Sequence, residues 1–456
     1  MAQTPSGMKA AYILFGLATI ACGTDNFQGP AWTPESLCPT SISASIGFSG
    51  GDWCAVEPNS AYCRFPNTTI IHNALTHCPA VEELDMYFEV GGCTGPEVDR
   101  WNLPVELSQE GQKYPPLKRL KLDGYSFGGL WERTEEEPVD PKDVTDVKLY
   151  EDEWDDDESR WLPNQWIDKK NGWVQEAWER DGKTKTNLDM WIEAMDWSQL
   201  EELSINTRRS EMVEVGSKLP QRLTSLKSLH LNSLGFVQGL KEHTLEKLKW
   251  VGKTKKGQLE QILRLQGESL RSVEYRCDEA SCSDWPQHVN ISAIADLAPH
   301  LQHISLNMPR VNGTWPFEDL NALANIPSLT SAELYFRLQS DCELYGQYLG
   351  RCFRCGKAWQ EWREENRETG HCHGDQRYAS PFLNATTAQE MFAYLRSHKV
   401  GTKLEEIGFK AGDWTGPYDG PLRLEEFLDG QRVMITCRSD NHQNVCENVR
   451  TSEYMD

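Results

Sequence analysis

The sequence predicts an α/β fold in which parallel strands and helices alternate along a repeat array. Two observations carry this. An apolar residue, two variable ones, a second apolar, one variable and a third apolar recur along the chain. Helical segments stand just before several of these motifs. The second and third apolar positions are two residues apart, the period of a strand with one buried face. A helix returning the chain between such strands makes them parallel.

The motifs run in order. Val81, Leu84, Met86 come first, then Leu117, Leu120, Leu122. Leu200, Leu203, Ile205 follow, with Leu226, Leu229, Leu231 and Leu245, Leu248, Trp250. Leu270, Val273, Tyr275, then Leu301, Ile304, Leu306, and finally Leu404, Ile407, Phe409 complete the strong copies. Weaker copies are Val144, Val147, Leu149 and Leu329, Ala332, Leu334. Thr186–Gln199, Gly257–Gln266 and Phe317–Ile326 read as the helices, with Trp191 and Trp197 in the core. From Leu203 to Ala332 the second positions step by 26, 19, 25, 31 and 28 residues.

Steps of that size are those of leucine-rich repeats, and residues 81–409 resemble that superfamily in an irregular form. The resemblance implies a solenoid with a concave parallel sheet, convex helices and a binding role. Asn206 and Asn232 match the polar residue expected after the strand, but most copies lack it. The octets Ile46–Trp53 (IGFSGGDW) and Ile407–Trp414 (IGFKAGDW) echo one another. By that analogy Ile46 and Phe48 lie in a first strand.

The flanks suggest export. Residues 1–21 read as a secretory signal: Lys9 precedes the apolar run Ala10–Ala21, which is too short to span a bilayer. Four sequons mark Asn67, Asn290, Asn312 and Asn384 as N-glycosylation candidates. The 14 cysteines suit an oxidising compartment. Residues 22–80 carry five of them and read as a disulfide-rich N-terminal cap, ahead of the array at 81–334.

Cys277 with Cys282 and Cys437 with Cys446 are close enough in sequence to close local loops. Residues 335–403 form a Cys/His-rich helical interruption holding Cys342, Cys352, Cys355, His371, Cys372 and His373. The spacing resembles a tetrahedral zinc arrangement, but in an oxidising compartment disulfides are the preferred reading. Residues 404–456 read as a last repeat and cap.

A second interruption, 124–199, opens with an acidic run. Residues 132–158 hold 14 acidic and three basic side chains, without the turn spacing of a calcium loop. Seven tryptophans then fall within 154–197. Trp161, Trp166, Trp173 and Trp178 are the ligand-binding candidates, because indole faces suit sugar rings and protein hot spots. Anchoring the interruption onto the array is the competing use.

The net charge of −23 disfavours nucleic acid. No segment after the signal is apolar enough to span a membrane, and the mean hydropathy is −0.60. No nucleophile elbow, zinc-protease motif or phosphate-binding glycine loop is present, and no cofactor or resident metal is expected. Secreted recognition of a protein or glycan partner through the sheet is therefore the first reading. A polysaccharide-acting hydrolase with Trp-lined subsites is the alternative, and a carboxylate pair in a Trp-lined cleft would mark it.

Overall fold

The structure is a computed structural model. It describes residues 38–46, 66–88, 113–125, 127, 154–155, 160–161, 167–168, 173–174, 187–206, 212–277, 289–310, 313–351, 356–368, 370, 372–412, 432–440 and 443–448. The signal segment, the Val144–Leu149 motif, most of the acidic run, Trp166, Trp178, Cys282, Asn312, Cys352, Cys355 and His371 lie outside these residues. So do Phe48, Gly51, Asp52 and Trp53 of the first octet and Asp413 and Trp414 of the second. The described parts form an α/β architecture divided into two units.

The first unit holds β1 (Ser41–Ile46), α1 (Pro66–His77), β2 (Glu83–Phe88) and β3 (Arg119–Asp123). It also holds β4 (Trp154–Asp155), β5 (Arg160–Trp161), β6 (Ile167–Asp168) and β7 (Trp173–Val174), which pair as two short antiparallel ribbons. Helix α2 (Asn187–Ala194) closes it. Strands β1, β2 and β3 are parallel neighbours. Leu84, Met86, Leu120 and Leu122 are buried, while the facing side chains form exposed ion pairs, Glu83–Arg119 and Asp85–Lys121. Exposed pairs contribute about 0–1 kcal/mol each and a buried leucine about 1.5–3, so the apolar row holds these strands together. Trp191 and Trp197 are buried among Tyr125 and Tyr114, and the Trp191 indole donates to Tyr125 Oη at 2.9 Å. Cys38 and Cys78 are disulfide-bonded.

The echo of the two octets does not mark equivalent places. In β1, Ile42 pairs with Leu84, and Ile46 pairs with Phe88 at the strand's end. Ile407 instead pairs with Ala332, the second apolar position of its motif. The two copies thus enter their ladders four residues out of step.

Helix α3 (Met212–Lys218) contains residues of both units. The second unit contains a large mixed sheet. Its strands are β8 (Glu202–Asn206), β9 (Ser228–His230), β10 (Lys247–Val251), β11 (Ser272–Arg276), β12 (His303–Met308), β13 (Ser331–Phe336) and β14 (Glu406–Ala411). These are parallel and adjacent in chain order. The antiparallel β15 (Val433–Asp440) and β16 (Gln443–Asn448) follow, joined by the Cys437–Cys446 disulfide. After β14, the last parallel strand, the chain adds a hairpin to the sheet.

The register explains the leucine pattern. Leu203, Leu229, Leu248, Val273, Ile304, Ala332 and Ile407 fall in one row across the ladders. Trp250, Tyr275, Leu306, Leu334 and Phe409 form the next. All are buried. Each strand is also entered the same way: one carbonyl accepts from two successive amides of the next strand. Glu246 O takes Arg271 and Ser272, Arg271 O takes Gln302 and His303, and Gln302 O takes Thr330 and Ser331.

Helices α4 (Leu234–Gly239), α5 (Gln258–Gln266), α6 (Ser292–Leu297) and α7 (Phe317–Ala324) connect the strands, and each packs on the next. Gln266 replaces a missing backbone partner. Its side-chain carbonyl accepts from Thr244 N and Leu245 N, and its amide donates to Lys241 O.

The interruption after β13 begins later than the sequence suggests, because Tyr335 and Phe336 belong to the strand. Helices α8 (Asp341–Arg351) and α9 (Gly356–Trp362) fill it. Helix α10 (Ala385–His398) then leads into β14 and packs on α7, as the other connecting helices pack on theirs. Around α8, Leu349, Trp362 and Cys372 form a small apolar cluster. Gly346 is obligatory there, since a Cβ would collide with the Trp362 ring. Cys342 and Cys372 are bonded to each other.

Candidate functional site

Alternation along each strand puts every second side chain on the face opposite the core. In the second unit this face is polar. One row reads Ser204, His230, Lys249, Glu274, Ser305, Glu333 and Gly408. A row on one side reads Glu202, Ser228, Lys247, Ser272, His303, Ser331 and Glu406. On the other side Asn307, Tyr335 and Lys410 align, with Arg276 at the end of β11.

The polar groups are bonded to each other. Lys410 Nζ lies 3.0 Å from Glu333 Oε1 and donates to Tyr335 Oη at 3.0 Å. Tyr335 in turn donates to Glu333 Oε2 at 3.0 Å. The Arg276 guanidinium donates to Glu274 at 2.7 Å and lies 4.7 Å from the Tyr335 ring centre, while Lys410 Nζ lies 4.8 Å from it. Asn307 pairs both its amide groups with the backbone of Cys277, fixing the exit of β11. Arg276, Ser305, Asn307, Tyr335 and Lys410 are buried, His303 and Glu333 half-buried.

His303 sits between two hydroxyls, Nδ1 2.9 Å from Ser331 Oγ and Nε2 3.1 Å from Ser305 Oγ. Ser305 donates to Glu333 Oε2 at 3.4 Å. With Ser305 donating to Glu333, its oxygen accepts from Nε2–H, and in the neutral ring Nδ1 accepts from Ser331. This is the neutral tautomer. Burial, opposed by Glu333 and Glu274, holds the imidazole below its ordinary value near 6.5. Burial pushes the Glu333 carboxyl up, but Lys410, Tyr335 and His303 outweigh it and the net direction is down. Burial raises the Tyr335 phenol, with Arg276 opposing. At neutral pH the cluster is a carboxylate, an ammonium, a neutral imidazole and a neutral phenol.

A pH dependence follows. A base with a depressed folded value stabilises the fold above its unfolded value near 6.5, and that contribution is lost as pH falls through the folded value. His303→Gln should therefore cost stability at pH 7.5 and less at pH 5. Thermal unfolding of both proteins at the two pH values checks it; an unchanged gap contradicts the neutral assignment. Glu333, Glu274, Lys410 and Glu406 are the charges acting on this ring.

The chemistry suits holding more than bond cleavage. A serine nucleophile needs a histidine oriented by a carboxylate; here both ring nitrogens of His303 face hydroxyls. Glu274 and Glu333 share a row two strands apart, roughly 10 Å by strand spacing, a separation near that of inverting glycosidases. Such a pair needs one protonated acid. Glu333 is held ionised, and Glu274 is paired with Arg276.

The remaining sequence candidates are spread over the chain. Trp161 and Trp173 lie in the short ribbons of the first unit, and their side chains are outside the described residues. The described tryptophan side chains, Trp191, Trp197, Trp250, Trp315 and Trp362, are all buried. The Cys342–Cys372 bond takes two thiols from the zinc-like set, and no group of metal-ligating side chains occurs among the described residues. Cys277 is also disulfide-bonded. Asn290 and Asn384 are exposed, and Asn67 lies in α1. No described helix is long and apolar enough to cross a membrane.

The cluster on the sheet was not singled out in the sequence. Its members are separated by up to 136 residues, from Glu274 to Lys410, and only the register brings them together. The signal was available in the motif itself: in the described copies, the variable residue between the second and third apolar positions lies on the face opposite the core. No protein-family model matches the chain, and no curated protein sequence matches it.

Proposed function

We propose that this chain is a secreted recognition protein, a leucine-rich-repeat-like solenoid that binds a protein or glycan partner on the polar face of the strands in its second unit. One observation carries the reading: three aligned rows of outward side chains are polar, charge-balanced and interlocked over successive strands. Such a surface is held rigid before a ligand arrives, which reduces the ordering cost of binding. Alternating donors and acceptors suit hydroxyl-rich or polar partners. Export is supported by the disulfides, the sequons and the N-terminal apolar run.

The test is a screen of the secreted protein against a glycan array and, by pull-down, against extracellular proteins. Lys247 and Lys249 are accessible on this face. A ligand bound by the native chain should lose about tenfold or more in affinity for Lys247→Glu/Lys249→Glu, as expected when charges at a contact are reversed. Arg264→Glu on α5 should bind as the native chain does. The reverse pattern refutes the placement.

A further inference from the structure

We propose that Asn384 carries an N-linked glycan whose first sugar lies against the ring of Phe382. The inference rests on the secretory reading above. It singles out one of four sequons and gives an exposed aromatic side chain a use.

The geometry starts with alternation. Phe382 is 49% exposed, Leu383 is 6% exposed, and Asn384 is exposed again. In an extended segment residues two apart share a side, and Asn384 has φ −147° and ψ 174°. Leu383 is turned inward, and Phe382 and Asn384 on either side of it both face solvent. The Phe382 ring meets Tyr378 edge-on at 6.4 Å between centres, which supports it without covering it.

Asn384 is also held in the correct sense. It is the N-cap of α10, and its Oδ1 accepts from Thr387 N at 3.0 Å. Asn384 N donates to Thr387 Oγ1 at 3.0 Å, and the Thr387 hydroxyl reaches the carbonyls of Phe382 and Asn384. The cap thus uses only the side-chain oxygen. Nδ2, the atom that accepts a glycan, makes no hydrogen bond to any described residue. Thr386, the third residue of the sequon, is exposed and takes no part in the cap. Modification therefore leaves every bond of the helix start intact.

The other sequons lack this combination on the described surface. Asn290 is exposed, but the residue two before it is His288. Asn312 is preceded two residues earlier by Arg310. Asn67 has Phe65 at that place, but Phe65 lies outside the described residues.

The bond forms between Asn384 Nδ2 and C1 of the terminal N-acetylglucosamine of a polyprenyl-diphosphate-linked oligosaccharide. The C1–O bond to the diphosphate breaks, the amide nitrogen gives up one proton, and the lipid diphosphate leaves. The sugar's axial C–H groups then face the aromatic ring, an apolar contact in which the ring's negative face meets polarised hydrogens.

The experiment uses the full chain secreted from a eukaryotic host. Glycopeptide mass spectrometry should find Asn384 occupied in most molecules. Thr386→Ala removes the sequon but keeps the cap, and should melt lower than the native glycoprotein by about 1–4 °C. Phe382→Ala should keep the glycan. In its background, adding Thr386→Ala should produce no further loss. An unmodified Asn384 in a secreted chain glycosylated at Asn290 overturns the proposal and leaves secretion standing. A chain that is neither exported nor glycosylated overturns both. A glycan whose stabilisation survives Phe382→Ala overturns the stacking.

Discussion

Lys410→Met should lower the unfolding free energy by about 2–3 kcal/mol, because it leaves the half-buried Glu333 carboxylate without its cation. Lys410 is 7% exposed and its ammonium meets both Glu333 and Tyr335. Methionine fills most of the same space, so the loss reports charge rather than a cavity. Breaking a buried pair costs about 3–5 kcal/mol; the Glu333 side chain keeps 33% of its exposure, which places the expectation below that range. Removing both charges, Lys410→Met with Glu333→Gln, should cost less than the two single changes added together. Urea unfolding of the four proteins measures the coupling. The sign of the pH effect is fixed too. Glu333 has a folded value below its ordinary one, so its stabilisation is present above the carboxylate range and lost as pH falls through the folded value. In Lys410→Met that acid-linked loss should shrink. Additive single changes would mean that the pair does not act as a pair.

Arg377→Leu should cost more, about 3–5 kcal/mol. The guanidinium meets Glu343 through Nε and Nη2, each at 3.0 Å. The two side chains are 10% and 2% exposed. Glu343 is then left as a buried carboxylate without its cation. The apolar cluster nearby has only Leu349, Trp362 and Cys372 fully within it, so little else compensates. Replacing Glu343 as well, by glutamine, should recover part of the loss, since an amide tolerates burial better than an unpaired carboxylate. Limited proteolysis between residues 341 and 377 would read the effect locally: rapid cleavage is expected for Arg377→Leu and slower cleavage for the double variant. Equal cleavage of Arg377→Leu and the native chain would show that the pair is not needed.

Much of the strand order was legible because it is written in side-chain type. Leu203, Leu229 and Leu248 recur at the same place in their motifs, and burial of one face forces them into one row. The helix before β11 was legible for the same reason, with Leu259, Ile262 and Leu263 buried along one side. The end of the array was not. Cys437 and Ile435 fit a strand of either direction, and only the partner register, Ile407 with Cys437, shows that it runs antiparallel. The site was less legible still. His303, Glu333 and Lys410 are ordinary polar residues in the sequence, and their relation is a cross-strand one that depends on register. The core tryptophans were legible: Trp191 and Trp197, on the segment before β8, and Trp250, at an apolar motif position, bury their rings in the interior, where area matters more than chemistry.

The most direct test of the proposed binding face is photo-crosslinking. A photoreactive phenylalanine placed at position 249 projects from the polar face of β10, and one at position 264 projects from the exposed side of α5. Each protein is irradiated with the ligand that the native chain binds. Cross-linking from 249 and none from 264 is the predicted result. Cross-linking from 264 with none from 249 would contradict it and move the binding surface to the helices.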